Sequence, residues 1–367
     1  MKHAKKSSNK PLWITVIVIA ILILLGCGTI WHLKSNNDGN SDNNASPIKG
    51  LFTSSQEKTN NNETLNNLTG LPMDKQYKND RPIGVMINNL DGAQPLLGVS
   101  EADIMYECPV EGGITRILAI FKNPRGIEKI GSVRSARPYF INIAQGLDAI
   151  YMHIGGSTQA SEMLKSKDID SFSLGAYENM MWRDPERRAN LGYEHSALTS
   201  GERLINGIKD SGIRTQLKSD YNFKQSFSEK DSQVNNGTQA QKIEAIFSHY
   251  KSTVFNYNSE KATYMISQFD EPQMDDNAKV QNSKKNIILL RADVTTINPD
   301  NDLKSIAIIG SGNGKYISNG KVIDIKWSKA SATEPIKYTT LDNKDLIMIP
   351  GQSYVCVLPL EADVTIS

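Results

Sequence analysis

The residues best suited to chemistry share one stretch, Gly131–Ser157, which holds Arg134, Ser135, Arg137, His153, Gly155, Gly156 and Ser157. Guanidinium forks recognise carboxylates and phosphates through paired N–H groups. Glycines permit the positive φ or the close backbone approach that a side chain would block. Pro138 suits the first position of a helix, where its missing N–H would be unsatisfied in any case, and Ser157 suits the cap of a second helix. Two helix N-termini beside two arginines would form an anion-binding corner, because free N–H groups and the helix dipole both favour negative charge. The alternative is that Arg134 and Arg137 pair with acids inside the fold and that the glycines only make a turn.

Other chemistries have weaker support. Acid–base catalysis needs a histidine or a carboxylate pair held in a cleft. His153 and His195 are candidates, with Glu107 and Glu111. The spacing of the two glutamates puts them on one strand face if the strand continues, and Gly112 and Gly113 interrupt it. Ser157 is explained as a cap, and Cys108 and Cys356 sit in apolar runs with no basic neighbour, so no nucleophile stands out. No ligand-spaced motif indicates a metal, and no cofactor is implied. Gly310–Gly314, GSGNG, lacks the lysine and the strand-to-helix context of a phosphate loop and reads as a hairpin turn.

The elements that must position these residues follow from the apolar patterning. Strands are expected over Ile83–Ile87, Ala102–Val110, Ile114–Phe121 and Ala149–Ile154, with helices after Pro138, after Ser157 and after Thr199 or Ser200. Met180–Asn190 reads as a polar, arginine-dense loop. This mixture implies an α/β (mixed α+β) domain over 68–220. After a polar connector, short strands from Ile243 to Leu358, bounded by Gly, Pro, Asn or Asp, imply a smaller β-rich domain over 240–367, a sandwich or partly open barrel.

The chain has 367 residues, 39% of them hydrophobic, and a net charge of +1. Residues 1–34 hold five lysines and no acid, so of 41 basic and 40 acidic groups the rest of the chain keeps 36 and 40. A mildly acidic body argues against nucleic acid as partner. Lys2, Lys5, Lys6 and Lys10 precede the uncharged run Leu12–Leu33, long enough for a bilayer core, which takes about 20 residues. The lysines place the body beyond it on the extracytoplasmic side. Within the run, Leu24, Leu25, Gly26 and Cys27 match a lipobox, in which the cysteine is lipidated, while the apolar Gly28–Leu33 fits an uncleaved transmembrane helix equally well. Residues 35–67, rich in Asn, Ser, Asp and Thr, read as a disordered linker.

LTGLP at Leu68–Pro72, RPIGVMINN at Arg81–Asn89, SEADIMY at Ser100–Tyr106, EGGITR at Glu111–Arg116, IGSVRSARPY at Ile130–Tyr139, HIGGS at His153–Ser157 and WRD at Trp182–Asp184 occur in order. In these motifs the chain resembles the bacterial lipoprotein family of YerB, whose two parts are called DUF3048 domains. The family often has a Pro, His, variable, Asp motif where this chain has Pro272, Gln273, Met274 and Asp275, so no role for that histidine carries over. The resemblance implies a surface lipoprotein and supplies no activity. The ligand-binding candidates are Arg134, Ser135, Arg137, His153, Gly155, Gly156 and Ser157, with Arg116, Arg183 and Asp184. The resulting expectation is a membrane-tethered extracytoplasmic protein that binds an anionic envelope ligand, such as a cell-wall peptide or anionic wall polymer, or a protein partner. The second reading is a cell-wall-polymer hydrolase or transferase using His153 or His195 with Glu107 or Glu111.

Overall fold

Apolar runs punctuated by Gly, Asn and Asp set the strands. In chain order the longer ones and those at the site are β1 (Ile83–Asn89), β2 (Ile104–Pro109), β3 (Thr115–Phe121), β4 (Ile150–His153), β5 (Ser171–Ser173), β6 (Lys242–Ser248), β7 (Lys251–Asn258), β8 (Thr263–Gln268), β9 (Asn286–Ala292), β10 (Gly310–Ser318), β11 (Lys321–Lys329), β12 (Ser353–Pro359) and β13 (Val364–Ile366). The helices are α1 (Pro138–Gly146), α2 (Thr158–Leu164), α3 (Pro185–Asn190) and α4 (Gly201–Asp210). This computed structural model describes residues 62–367 except 166, 167, 176, 178, 222 and 224. The expected anchor over 1–34, its Cys27 and the linker as far as 61 lie outside the described residues. Among those described, no helix is long and apolar enough to cross a membrane.

One 11-stranded sheet runs through both halves of the chain, in the order Thr238–Gln239, β11, β10, β9, β12, β2, β3, β1, β4, β5, with Lys337–Thr340 beside β11. The last long strand, β12, is its hinge point. It pairs in parallel with β9 on one side and with β2 on the other, where Ser353 faces Ile104 and Cys356 faces Glu107. Strands β1, β2 and β3 are buried along their whole length, as continuous apolar runs must be when both faces of a sheet are covered.

A second, six-stranded sheet, Glu271–Pro272, β8, β7, β6, β13 with Ser283–Lys284 beside β8, covers one face. Its strands alternate, with Ile243, Ala245 and Phe247 of β6 turned inward beside Phe255 and Ile266, the period-2 pattern of a sheet with one wet face. Helix α1 covers the other face through Tyr139, Phe140, Ile143 and Ala144. The molecule is thus a mixed, strand-rich fold, α/β in its N-terminal part and β-rich after it.

Two sequence expectations need correction. Gly310–Gly314 is not a turn: it opens strand β10, and the turn falls at Asn319–Gly320. Its glycines serve close packing. A Cβ on Gly312 would stand 2.6 Å from both the Arg291 carbonyl oxygen and the Trp327 indole nitrogen, and one on Gly314 would stand 2.5 Å from the Leu289 carbonyl. Met180–Asn190 is also not a loop. It holds a strand at Met181–Arg183, paired with Ala197–Thr199, and helix α3, capped by Asp184.

Candidate functional site

Asn88 and Asn89 end β1, and His153 ends its parallel neighbour β4. Arg116 stands opposite Asn88 on β3. Against this edge the backbone segments 134–136 and 154–157 run side by side. The Ile154 N–H donates to the Arg134 carbonyl and the Ala136 N–H to the Gly155 carbonyl, both at 3.0 Å, and the Ser157 N–H donates to the Ala136 carbonyl at 3.3 Å. Gly155 takes a φ of +66°, which only glycine adopts readily, and Gly155 and Gly156 are exposed. The Ser157 hydroxyl caps α2 by accepting the Ala160 N–H at 3.2 Å. The fold therefore gathers Arg116, Arg134, Ser135, Arg137, His153 and Gly155–Ser157. Arg183 and Asp184 lie on a neighbouring element. Arg183 donates to the Tyr193 carbonyl at 2.7 Å and lies over the Tyr193 ring, while Asp184 caps α3 and meets Lys129 at 3.4 Å.

The gathered arginines differ in what already holds them. Arg137 grips Glu111 with both prongs of its fork, at 2.5 and 2.6 Å. Arg116 reaches the same carboxylate at 3.6 Å and donates to the Ser135 carbonyl at 3.2 Å. Burial by itself would raise the Glu111 carboxyl, but the Arg137 hydrogen bonds and the charges of Arg137 and Arg116 outweigh it and hold the group below its ordinary range. Among the described residues the Arg134 guanidinium meets only Glu194, donating to its carboxylate at 3.1 Å and to its backbone carbonyl at 3.3 Å, and that glutamate's side chain is 68% exposed. The buried Nε of Arg134 has no partner among the described residues. Arg116 is pushed down to about 10, first by burial and then by the neighbouring charge of Arg137, with Arg134 adding to it. Three guanidinium groups thus crowd one edge, with a single well-held carboxylate between two of them.

The histidines and glutamates that could do acid–base work do not converge. His153 Nδ1 meets the Gly155 carbonyl at 2.8 Å, and burial lowers its pKa. His195 Nδ1 meets Asn88 at 2.8 Å, its pKa lowered by burial and then by Arg134. Glu107 is fully buried in a polar network. Its carboxylate accepts from Asn89, Thr115, Thr253 and Tyr354 at 2.6–2.8 Å, with Lys251 at 3.7 Å. Glu111 starts a 3-10 turn rather than continuing β2, so the two glutamates part company.

Several buried polar side chains escape sequence reasoning because their partners lie far along the chain. Asp275 accepts from the Gly98 and Ser100 N–H groups and from the Ser100 hydroxyl at 2.7–3.0 Å. Lys284 donates to the carbonyls of Val99, Ser100 and Ala102 at 2.9–3.1 Å. Together they clasp one loop of the N-terminal part. Gln273, at the position where the family often has histidine, is buried and accepts from Asn282 at 2.7 Å. The Asp-Pro pair at 184–185 was the one local signal, for an N-cap followed by Pro at N1.

The profile described as "Protein of unknown function (DUF3048) N-terminal domain" matches residues 68–214, and the one for the C-terminal domain of the same family matches residues 243–355. The chain belongs to the DUF3048 family. Within it, the chain is 28% identical to "Putative lipoprotein YerB" of Bacillus subtilis (strain 168) over 295 residues, 80% of this chain and 85% of the relative. The crystal structure of YerB from Bacillus subtilis superposes with a TM-score of 0.72 at 25% identity, covering 82% of this chain and 99% of that one. In this DUF3048 protein the two matched regions share one sheet, joined at β12 and β2.

Proposed function

We propose that this is a membrane-tethered, extracytoplasmic protein that binds an anionic ligand of the cell envelope at the edge formed by Arg116, Arg134, Ser135, Arg137 and the Gly155–Ser157 turn. The tether is supported by the N-terminal lysines, the apolar run and Cys27, and by the lipoprotein name of the relative. The observation that carries the binding reading is the crowding of three guanidinium groups on one edge, where Arg116 and Arg137 share the firmly held Glu111 and, among the described residues, the guanidinium of Arg134 meets only the exposed Glu194. Surface ion pairs of that kind are worth about 0–1 kcal/mol, so a ligand carboxylate or phosphate displaces Glu194 at little cost. Arg134 is then the ligand's chief contact, Arg116 and Arg137 supply the field, and Arg183 and Asp184 shape the neighbouring turn.

The test is titration of the full-length chain in detergent with wall peptides bearing free carboxylates and with polyglycerol phosphate, followed by calorimetry. Arg134→Ala is expected to weaken binding about ten- to a hundredfold, the worth of one charge-assisted hydrogen bond. Arg134→Lys should recover only part of it, since an ammonium keeps the charge and loses the fork. No response to either anion class in the wild type would sink the reading.

A further inference from the structure

We propose that Lys251 and Asn89 are joined by an intramolecular amide bond, formed with Glu107 as the proton carrier. The buried Lys251 amine and the buried Asn89 carboxamide flank one oxygen of Glu107, and each keeps a polar atom without a hydrogen-bond partner. Lys251 opens β7 in the second sheet, while Asn89 closes β1 and Glu107 lies on β2, both in the first. All three are buried in the core between the sheets, so water does not compete for them. Glu107 Oε1 accepts from Asn89 Nδ2 at 2.8 Å and lies 3.7 Å from Lys251 Nζ. Among the described residues Nζ makes no hydrogen bond and Asn89 Oδ1 accepts none. A buried ion pair that stabilised the fold would close to hydrogen-bond distance and satisfy the ammonium's donors. This lysine does neither. The Phe269 ring, 4.2 Å from Nζ, keeps its surroundings apolar, and the Glu107 carboxylate is fixed by Thr115 at 2.6 Å and by Thr253 and Tyr354 at 2.8 Å.

Burial disfavours the ammonium and pushes Lys251 down to about 8, against the pull of Glu107. A desolvated lysine is a nucleophile. In the reaction the ammonium passes one proton to the Glu107 carboxylate, and the freed Nζ attacks Asn89 Cγ. The Nζ–Cγ bond forms and the Cγ–Nδ2 bond breaks. Nδ2 takes the proton held by Glu107 and, through the same carboxylate, one of the two amine protons, and leaves as ammonium. Glu107 ends as the carboxylate it began, and no oxidant or outside group takes part. Holding amine and amide across one oxygen supplies the proximity that the exchange lacks in solution. Gln268, the other carboxamide of this network, is less suited. Its Nε2 donates to Thr253 and Tyr354, whose hydroxyls serve the other Glu107 oxygen, Oε2. The bond ties the first sheet to the second, and with it the N-terminal family segment to the C-terminal one. An amide nitrogen does not titrate as an amine, so in the cross-linked chain Lys122, Lys284 and Lys329 carry the alkaline titration of the buried lysines.

The experiment is tryptic peptide mapping of the full-length chain by mass spectrometry. The wild type should give one branched peptide in which the segment holding Asn89 is joined to the segment holding Lys251. That peptide should be lighter than the two together by one ammonia, with no cleavage after Lys251. Glu107→Gln keeps the shape and loses the proton carrier, so it should give the two linear peptides instead. Lys251→Met should also leave the Asn89 peptide linear. The wild-type map decides by itself should either variant fail to fold. The proposal is overturned if the wild type yields the two peptides separately with unaltered masses, if Lys251 is found joined to Gln268, or if Glu107→Gln forms the branched peptide as fully as the wild type does.

Discussion

Arg134 and Arg137 lie three positions apart and face opposite demands. Arg137 is buried and holds Glu111 in a bidentate pair, with its remaining prong on the Ala136 carbonyl. Truncating it leaves a half-buried carboxylate whose best partner is gone, so Arg137→Ala should cost about 3 kcal/mol of folding stability in urea titrations. Arg134→Ala removes only a pair with an exposed glutamate and should cost less than about 1 kcal/mol. Equal losses for the two variants would mean that Arg134 is also a structural strut. The division was not legible in the sequence. Both arginines sit in the same apolar context before Pro138, and the choice between them is made by Glu111, which the 3-10 turn at Glu111–Gly113 swings away from β2. The same distance effect hid Lys251, whose carboxylate partner is on another sheet.

At the scale of elements, legibility tracked how local the determinant was. Strands β1, β3 and β4 follow from their own apolar runs, α1 from Pro138 and α2 from the Ser157 cap, and all stand close to where the patterning puts them. Strand β10 does not follow from local pattern, because GSGNG has turn composition. Its glycines are required by neighbours: the Trp327 indole donates to the Arg291 carbonyl at 3.0 Å across Gly312, and β9 passes Gly314 at backbone contact. Gly314→Val should therefore destabilise by about 2–3 kcal/mol, since the atom that a side chain would strike is the backbone oxygen of Leu289 and cannot swing aside. Thermal melts showing a loss below about 0.5 kcal/mol would place the turn, not the strand, at those glycines.

Across the whole molecule, the two family segments are bound by shared backbone and by buried charge. Strand β12 closes the sheet between them, Asp275 and Lys284 clasp the loop from Gly98 to Ala102, and Glu107 gathers donors from both parts. No run of sequence announces these links, since each polar side chain is ordinary until its partner is known. They leave a signature in pH. Lys122, Lys251 and Lys329 are pushed down to about 8 and Lys284 to about 7, in every case chiefly by burial. A lysine in the unfolded chain titrates near 10.5, so between about pH 7 and 10 the unfolded state holds more protons on these side chains than the folded state. Stability must then rise with pH across that window. Tyrosines set its upper limit. Burial raises the hydroxyls of Tyr106, Tyr264 and Tyr316 above the ordinary value of 10.0, so above about pH 10 the unfolded chain sheds protons that the folded one keeps, and stability falls. Urea unfolding of the full-length chain in detergent at intervals from pH 6 to 11 should give a maximum near pH 9 to 10, with a gain of about 1 kcal/mol or more between pH 7 and 9. A maximum at or below pH 7 would mean that these lysines keep their charge in the folded state.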